Sequence, residues 1–237
     1  MSSLLRLLRR SLARRAEPVL IKIENHLERT GRWKTAQRMR YKQVIWQMID
    51  CTKTCEAVLF LLENDMRHLE ILQREAFLKA ECQRITKTQL SEDDQEQLEA
   101  WYKELDELTR ELWRTEREQY IYSLKVPNSP CGRALSTRWK HPEGRMTLNL
   151  RRDCAGRGGC CGRDCGCCER PRSKDRPYAL GHCTAQCGCC IRARGFELIT
   201  PEDQGLARAG FDRNNSSDPY AIGRVWDYIF GCELVEG

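Results

Sequence analysis

Apolar residues recur at spacings of three and four from Trp33 to about Arg84, through Val44, Met48, Cys51, Cys55, Val58, Leu62, Met66, Leu69, Leu72 and Ala76. That spacing lays one stripe along one face of an α-helix. Unbroken, the helix would extend roughly 80 Å at 1.5 Å per residue, longer than ordinary globular helices, so a kink is expected around Asp50 to Thr54. A second stripe, Leu98, Trp101, Leu105, Leu108 and Leu112, predicts a helix from Glu92 to about Ser123. Ser91 is placed to cap it, with Asp93 and Asp94 in its positively polarised first turn. The two helices predict a long antiparallel hairpin with a coiled-coil-like seam that buries Val58, Leu62, Leu69, Leu98, Leu105 and Leu112.

Residues 1–15 contain five arginines and no acid, and Leu4, Leu5, Leu8 and Leu12 share a helical face. This reads as the first helix of the bundle, stopped before Pro18, with a mitochondrial presequence or an interfacial membrane helix as the alternatives. A short helix from Pro18 to about Arg29 should end at Gly31. Beyond Val126 the character changes: residues 1–126 hold one proline and one glycine, residues 127–237 seven and fifteen. The expected organisation is mainly α. A basic amphipathic segment (1–17) precedes an α-helical hairpin or bundle (18–126), a loop-rich connector (127–150), an irregular Cys-rich metal module (151–196) and a tail with short helices (197–237). Met146–Leu150 alternates apolar and polar, predicting a short strand that Tyr178–Leu180 could pair with. Thr200-Pro201 and Ser217-Asp218-Pro219 resemble helix starts.

The cysteines change the picture most. Ten of the fifteen, with His182, fall in the 37 residues from Cys154 to Cys190. They form a tandem repeat, in which Cys160-Cys161-x3-Cys165-Gly-Cys167-Cys168 returns 22 positions later as His182-Cys183-x3-Cys187-Gly-Cys189-Cys190. The exchange of Cys160 for His182 points to zinc, because imidazole replaces a thiolate as a ligand and cannot replace one in a disulfide. Cys165/Cys168 and Cys187/Cys190 spell the Cys-x2-Cys spacing of a four-cysteine zinc site. Cys161, Cys167, Cys183 and Cys189 form a second equivalent set, predicting two zinc ions with pseudo-twofold symmetry. Cys154, Cys160 and His182 remain as further ligands, and Gly166 and Gly188 are expected at positive φ inside the knuckles.

Other readings stay open. A disulfide-stabilised secreted or mitochondrial protein would use paired cysteines too, but the N-terminus lacks a secretory signal pattern and the glycine-rich flanks, with Pro171 and Pro177, disfavour a twin Cys-x3-Cys helical hairpin. Thiolate-rich metal buffering is a further alternative. Net charge is +6, distributed as +8 over residues 1–50 and −6 over residues 91–126. The acidic face of residues 92–118 is expected to be solvated or to pair with the basic residues from Arg29 to Lys42. Arg163, Arg170, Arg172, Arg192 and Arg194 flank the knuckles, so a nucleic-acid partner competes with a protein partner or self-association through the helices. No nucleotide-binding, Gly-x-Ser-x-Gly or His-Glu-x-x-His pattern occurs in a supporting context, and a thiolate-rich zinc site closes more readily than it catalyses. The expectation is a non-enzymatic protein without a transmembrane span, in cytoplasm or nucleus, with the mitochondrion as the alternative.

The paired Cys-x3-Cys-Gly-Cys-Cys motif, with Gly181-His182-Cys183 and Arg194-Gly195-Phe196, resembles Cys-rich hypothetical proteins of filamentous fungi. The resemblance spans about 45 residues and implies no activity.

Overall fold

The computed structural model describes residues 3–47, 52–87, 91–126, 128–156, 158–170, 182–195, 226 and 229–231. Among these the chain is α-helical with no strand, in seven α-helices: α1 Ser3–Arg29, α2 Trp33–Gln47, α3 Thr52–Ile85, α4 Glu92–Ser123, α5 Pro130–Lys140, α6 Leu148–Gly156 and α7 Gly188–Arg194. Short 3₁₀ turns at Pro142–Met146, Cys160–Gly162 and Cys167–Glu169 complete the described structure.

The expected hairpin is α3 against α4. Asn64 meets Thr115, Arg67 meets Glu111 and Arg74 meets Glu104, so the numbers rise along α3 as they fall along α4. Ser91 caps α4 through a full capping box, its hydroxyl accepting from the Asp94 amide and the Asp94 carboxylate accepting from the Ser91 amide. Leu62, Leu69 and Leu112 are buried as the stripes require, whereas Leu98 and Leu105 are only half-buried. The side chains of Cys51, Cys55 and Val58 lie outside the described residues. Most acids of α4 are exposed, as a solvated face requires, while Glu111 and Glu104 pair with Arg67 and Arg74 of α3, the helix α4 packs on.

Three expectations are corrected. Helix α1 runs through Pro18, which is exposed and sits inside the helix. One missing donor on a solvated face weakens a helix without stopping it. The connector contains α5, started by Ser129 at the N-cap and Pro130 at the first helical position. The proline that suggested a loop is thus a helix-start residue, and buried Cys131, Ala134, Leu135 and Arg138 carry the helical spacing. Met146–Leu150 is no strand, since a 3₁₀ turn leads there into α6, which buries Leu150 and Cys154 one turn apart. The suggested strand at 178–180 and helix starts at 200 and 217 fall outside the described residues.

Helices α1 and α2 are joined by a Schellman turn at Gly31 (φ +74°), where Arg32 N–H bonds Leu27 C=O and Gly31 N–H bonds Glu28 C=O. They pack with α5 around a buried polar network. Arg40, 2% exposed, donates to Glu24 at 2.8 Å, Glu28 at 2.6 Å, Gln37 at 2.9 Å and Thr137 at 2.7 Å. Arg133 and Gln43 also donate to Glu24, which is fully buried. Burial pushes the Glu24 carboxyl up, but these hydrogen bonds outweigh it and hold the group below its ordinary value. An apolar cluster of Val44, Leu61, Leu62, Ala134, Leu135, Ile229 and Phe230 then joins α2, α3, α5 and the C-terminal residues.

Replacing Leu62 by Ala should cost about 2–5 kcal/mol of stability in urea unfolding. Glu24→Gln should cost about 3–5 kcal/mol, because it strands Arg40 and Arg133. Since the folded Glu24 titrates below its ordinary value, its contribution is complete above that value and is lost as pH falls through the folded one. The gap between wild type and Glu24→Gln should therefore narrow in acid. A gap that is small at neutral pH, or insensitive to acid, would mean the network contributes little.

Candidate metal centre

The repeat folds asymmetrically. Its first copy is two 3₁₀ turns hinged at Gly166, whose φ of +64° only glycine adopts without strain. Its second copy runs into α7, so Gly188 is helical, and its lack of a side chain serves packing: a Cβ there would lie 2.9 Å from the Phe77 ring of α3. The expected positive φ at Gly188 is thus replaced by a close helix contact.

The sulfurs converge in three sets. Cys154, Cys161, Cys168 and His182 form one, Cys160, Cys183, Cys187 and Cys190 a second, and Cys160, Cys165 and Cys189 a third. Cys167 stands beside them, its sulfur 4.0 Å from that of Cys187. The expected quartets, Cys165/Cys168/Cys187/Cys190 and Cys161/Cys167/Cys183/Cys189, do not form. The reason lies in how the copies interlock. The first set takes Cys161 and Cys168 from copy one and His182 from copy two, and the second takes Cys183 and Cys190 from copy two and Cys160 from copy one. Each set therefore borrows the leading ligand of the other copy, and the pseudo-twofold relation survives in a different partition. Only the fourth ligand breaks it, Cys187 in one set and Cys154, from outside the repeat, in the other.

Sulfur spacing defines the chemistry. Within sets, Cys154 and Cys168 are 4.0 Å apart, Cys160 and Cys187 3.9 Å, Cys160 and Cys190 3.6 Å, and Cys165 and Cys189 3.6 Å. A disulfide needs about 2.05 Å. Four thiolates about 2.3 Å from one tetrahedral ion stand about 3.8 Å from each other. The twelve described cysteines are all free thiols. The residues therefore fit a thiophilic cation, and these Cys/His groups could hold one.

His182 is oriented for ligation. Its Nε2 donates to the Arg145 carbonyl at 2.6 Å, since a carbonyl only accepts, and this leaves Nδ1 facing the Cys161 sulfur at 3.1 Å. A ring nitrogen anchored on backbone is the usual support for a metal-binding histidine. Arg145 is itself buried and donates to the carbonyls of Cys168, Glu169 and Arg170, tying the knuckle of copy one to the histidine of copy two. Gln73 of α3 does the same from the other side, accepting from the Thr184 amide at 3.1 Å and its hydroxyl at 2.7 Å and donating to the His182 carbonyl at 3.3 Å. Neither residue is evident from sequence alone, although a glutamine following the buried Leu69 and Leu72 is a polar interruption of the α3 stripe.

The sulfurs act on one another as proton donors and acceptors. Hydrogen bonds from Cys160, Cys167 and Cys183 hold the Cys187 thiol down to about 3, and bonds from Cys154, Cys160 and Cys183 hold Cys168 well below its ordinary value. Cys160 and Cys183, the donors, are pushed up correspondingly. Burial lowers His182, but Cys154 and Cys168 outweigh it and leave the imidazole at about 9. Such a set attracts cations, and Arg163 answers it: its guanidinium donates to the Cys190 sulfur at 2.9 Å and to Cys160 at 3.4 Å. Arg163, a candidate phosphate contact by sequence, is turned toward sulfur instead. Arg192 lies 4.0 Å from Glu81 and Arg194 donates to the Ala185 carbonyl, while Arg170 is exposed and Arg172 lies outside the described residues.

Gly159 tests the geometry. A Cβ there would meet the Cys154 sulfur at 2.4 Å and the Cys154 carbonyl at 2.6 Å. Gly159→Ala should therefore displace Cys154 and remove the ion of the Cys154/Cys161/Cys168/His182 set, lowering metal content by one equivalent while α3 and α4 keep their circular dichroism. Full metal retention in the variant would show that Cys154 is not a ligand.

Compared with known proteins, the chain has no match among family models, curated proteins or solved structures, so the chemistry of the centre rests on its own geometry.

Proposed function

We propose that this is a non-enzymatic zinc-binding protein whose cysteine module is a structural metal centre and whose long hairpin presents a surface to a protein partner. The observation that carries the metal reading is the in-set sulfur spacing of 3.6–4.0 Å, the edge of a tetrahedral thiolate cage. Zinc is favoured over copper by the histidine and by four-ligand sets. Both four-ligand sets are closed, which supports a structural role over a catalytic one, since catalytic zinc keeps an open position. Free thiols throughout the described residues fit a reducing, intracellular compartment. No described helix is long and apolar enough to cross a membrane.

The partner surface is α4. Tyr102, Trp113, Tyr120 and Leu124 are 59–69% exposed and fall on one side of that helix. Aromatic side chains of this kind are characteristic anchors of protein interfaces. With eleven acidic and five basic residues over 91–126, the helix suits a partner that sets apolar groups among cations. Helix α1 of a second copy has that chemistry, exposing Leu12, Val19 and Ile23 beside arginines. A nucleic-acid partner is less well supported, because Arg163 and Arg192 are engaged within the protein.

Elemental analysis with a thiol count on the purified chain tests the metal reading. Zinc should be bound with no disulfide, chelator should unfold residues 154–190 while most helical circular dichroism persists, and reductant should do nothing. Cys190→Ser should lower bound zinc and Cys51→Ser should not. Sensitivity to reductant with indifference to chelator would instead identify a disulfide scaffold. Any DNA or RNA binding should be weak and should lack the steep salt dependence of multiple phosphate contacts.

A further inference from the structure

Resting on the zinc reading above, we propose that the module holds a third ion, bound by Cys165 and Cys189 and sharing the Cys160 thiolate with the ion of the Cys183/Cys187/Cys190 set. Cys160, Cys165 and Cys189 bring their sulfurs within 4.8 Å of one another, and Cys165 and Cys189 are 3.6 Å apart. Cys167 lies outside this set, its sulfur 4.0 Å from that of Cys187, so the protein supplies three thiolates and leaves the fourth position to water.

The repeat explains why these sulfurs are left over. By the internal equivalence, Cys165 corresponds to Cys187 and should be the fourth ligand beside Cys161, Cys168 and His182. Cys154, delivered by the end of α6, occupies that position instead. Cys165 is thereby released and joins Cys189 and the shared Cys160. Three tetrahedral ions require twelve ligand positions. Ten ligands with one shared thiolate supply eleven and a water supplies the twelfth, and a thiolate has lone pairs enough to bind two ions.

Charge points the same way. Ten thiolates in one small volume carry ten negative charges, of which two divalent cations offset four, and a third offsets two more. The third set is also the least buried: Cys165 and Cys189 are half-buried, whereas every ligand of the other two sets except Cys161 is buried. Its ion is the one nearest solvent and should exchange fastest. The class of ligand is a thiophilic d¹⁰ cation, zinc in the cell, with cadmium as a spectroscopic substitute.

Native mass spectrometry of the full chain, expressed with zinc, should find three ions in the wild type and two in both Cys165→Ser and Cys189→Ser, with helical circular dichroism unchanged. Two ions in the wild type, undiminished by either substitution, would overturn the third site and leave the metal reading intact. No ions in the wild type would sink both. Loading the wild-type chain with cadmium-113 tests the sharing without any substitution: three resonances are expected, two split by mutual coupling through the Cys160 sulfur and one unsplit. Resonances that all lack cadmium–cadmium coupling would rule the shared thiolate out.

Discussion

The mutual repulsion of ten closely packed sulfurs is the constraint on which the C-terminal half of this protein depends. Thiolates 3.6–4.0 Å apart are unstable without protons or cations between them. The chain supplies partial answers of its own, in the Arg163 guanidinium and in protons shared among the sulfurs, with Cys160 and Cys183 as donors and Cys168 and Cys187 as acceptors. These do not match the geometry as a metal does. A shared proton links two sulfurs, whereas a tetrahedral ion fixes four ligands at once, and two of the three sets here contain four. A module with this little apolar side chain can gain on the order of 10 kcal/mol from a structural zinc ion, more than its small core could provide.

The helices do more than stand beside the module. Gln73 reaches from the hairpin to both Thr184 and the His182 carbonyl, and Gly188 lets α7 lie directly on Phe77. Arg145, following α5, closes the other side by holding three carbonyls of copy one and receiving the His182 ring on its own carbonyl. The position of the histidine is thus fixed from two helical elements before any ion arrives. Preorganisation of this kind lowers the ordering cost that binding must meet. It also ties the two halves together, since Gln73, in the middle of α3, holds His182 and Thr184.

Much of the fold is legible in the sequence because long amphipathic stripes and a capping box are local signals. Ser91 and Asp94 start α4 through hydrogen bonds three residues apart, and the α4 stripe needs no tertiary knowledge to be read. Helix α5 was obscured by Pro130 and Gly132, although Ser129 and the spacing of Cys131, Ala134, Leu135 and Arg138 mark it. The cysteines and His182 that gather in the centre are equally legible, as a repeat with a Cys-for-His exchange. Their grouping was not, because partition depends on which loops interlock. Sequence spacing favours ligands drawn symmetrically from both knuckles. The fold instead exchanges leading ligands and brings in Cys154 from a helix. Gln73 and Arg145 were invisible for the same reason, since their partners are distant in sequence and are backbone groups, which carry no residue signature.

The position of Cys154 shows how a small local feature can govern a whole centre. Its carbonyl accepts from the Gly159 amide at 2.8 Å, and Gly158, at φ +72°, reverses the chain directly after α6. That tight turn leaves no room for a side chain at residue 159 and aims the Cys154 sulfur inward, where it is fully buried 4.0 Å from Cys168. A perfectly symmetric repeat would hold two equivalent ions with sulfurs to spare in equivalent places. An extra cysteine carried on a helix outside the repeat removes the equivalence: one four-residue set is tied to α6 and the histidine, the other is entirely cysteine. Two sites with different ligand sets and different burial differ in affinity and exchange rate, because histidine and cysteine impose different charge on the ion and different competition from protons. The asymmetry of the centre therefore follows from a glycine turn and one cysteine.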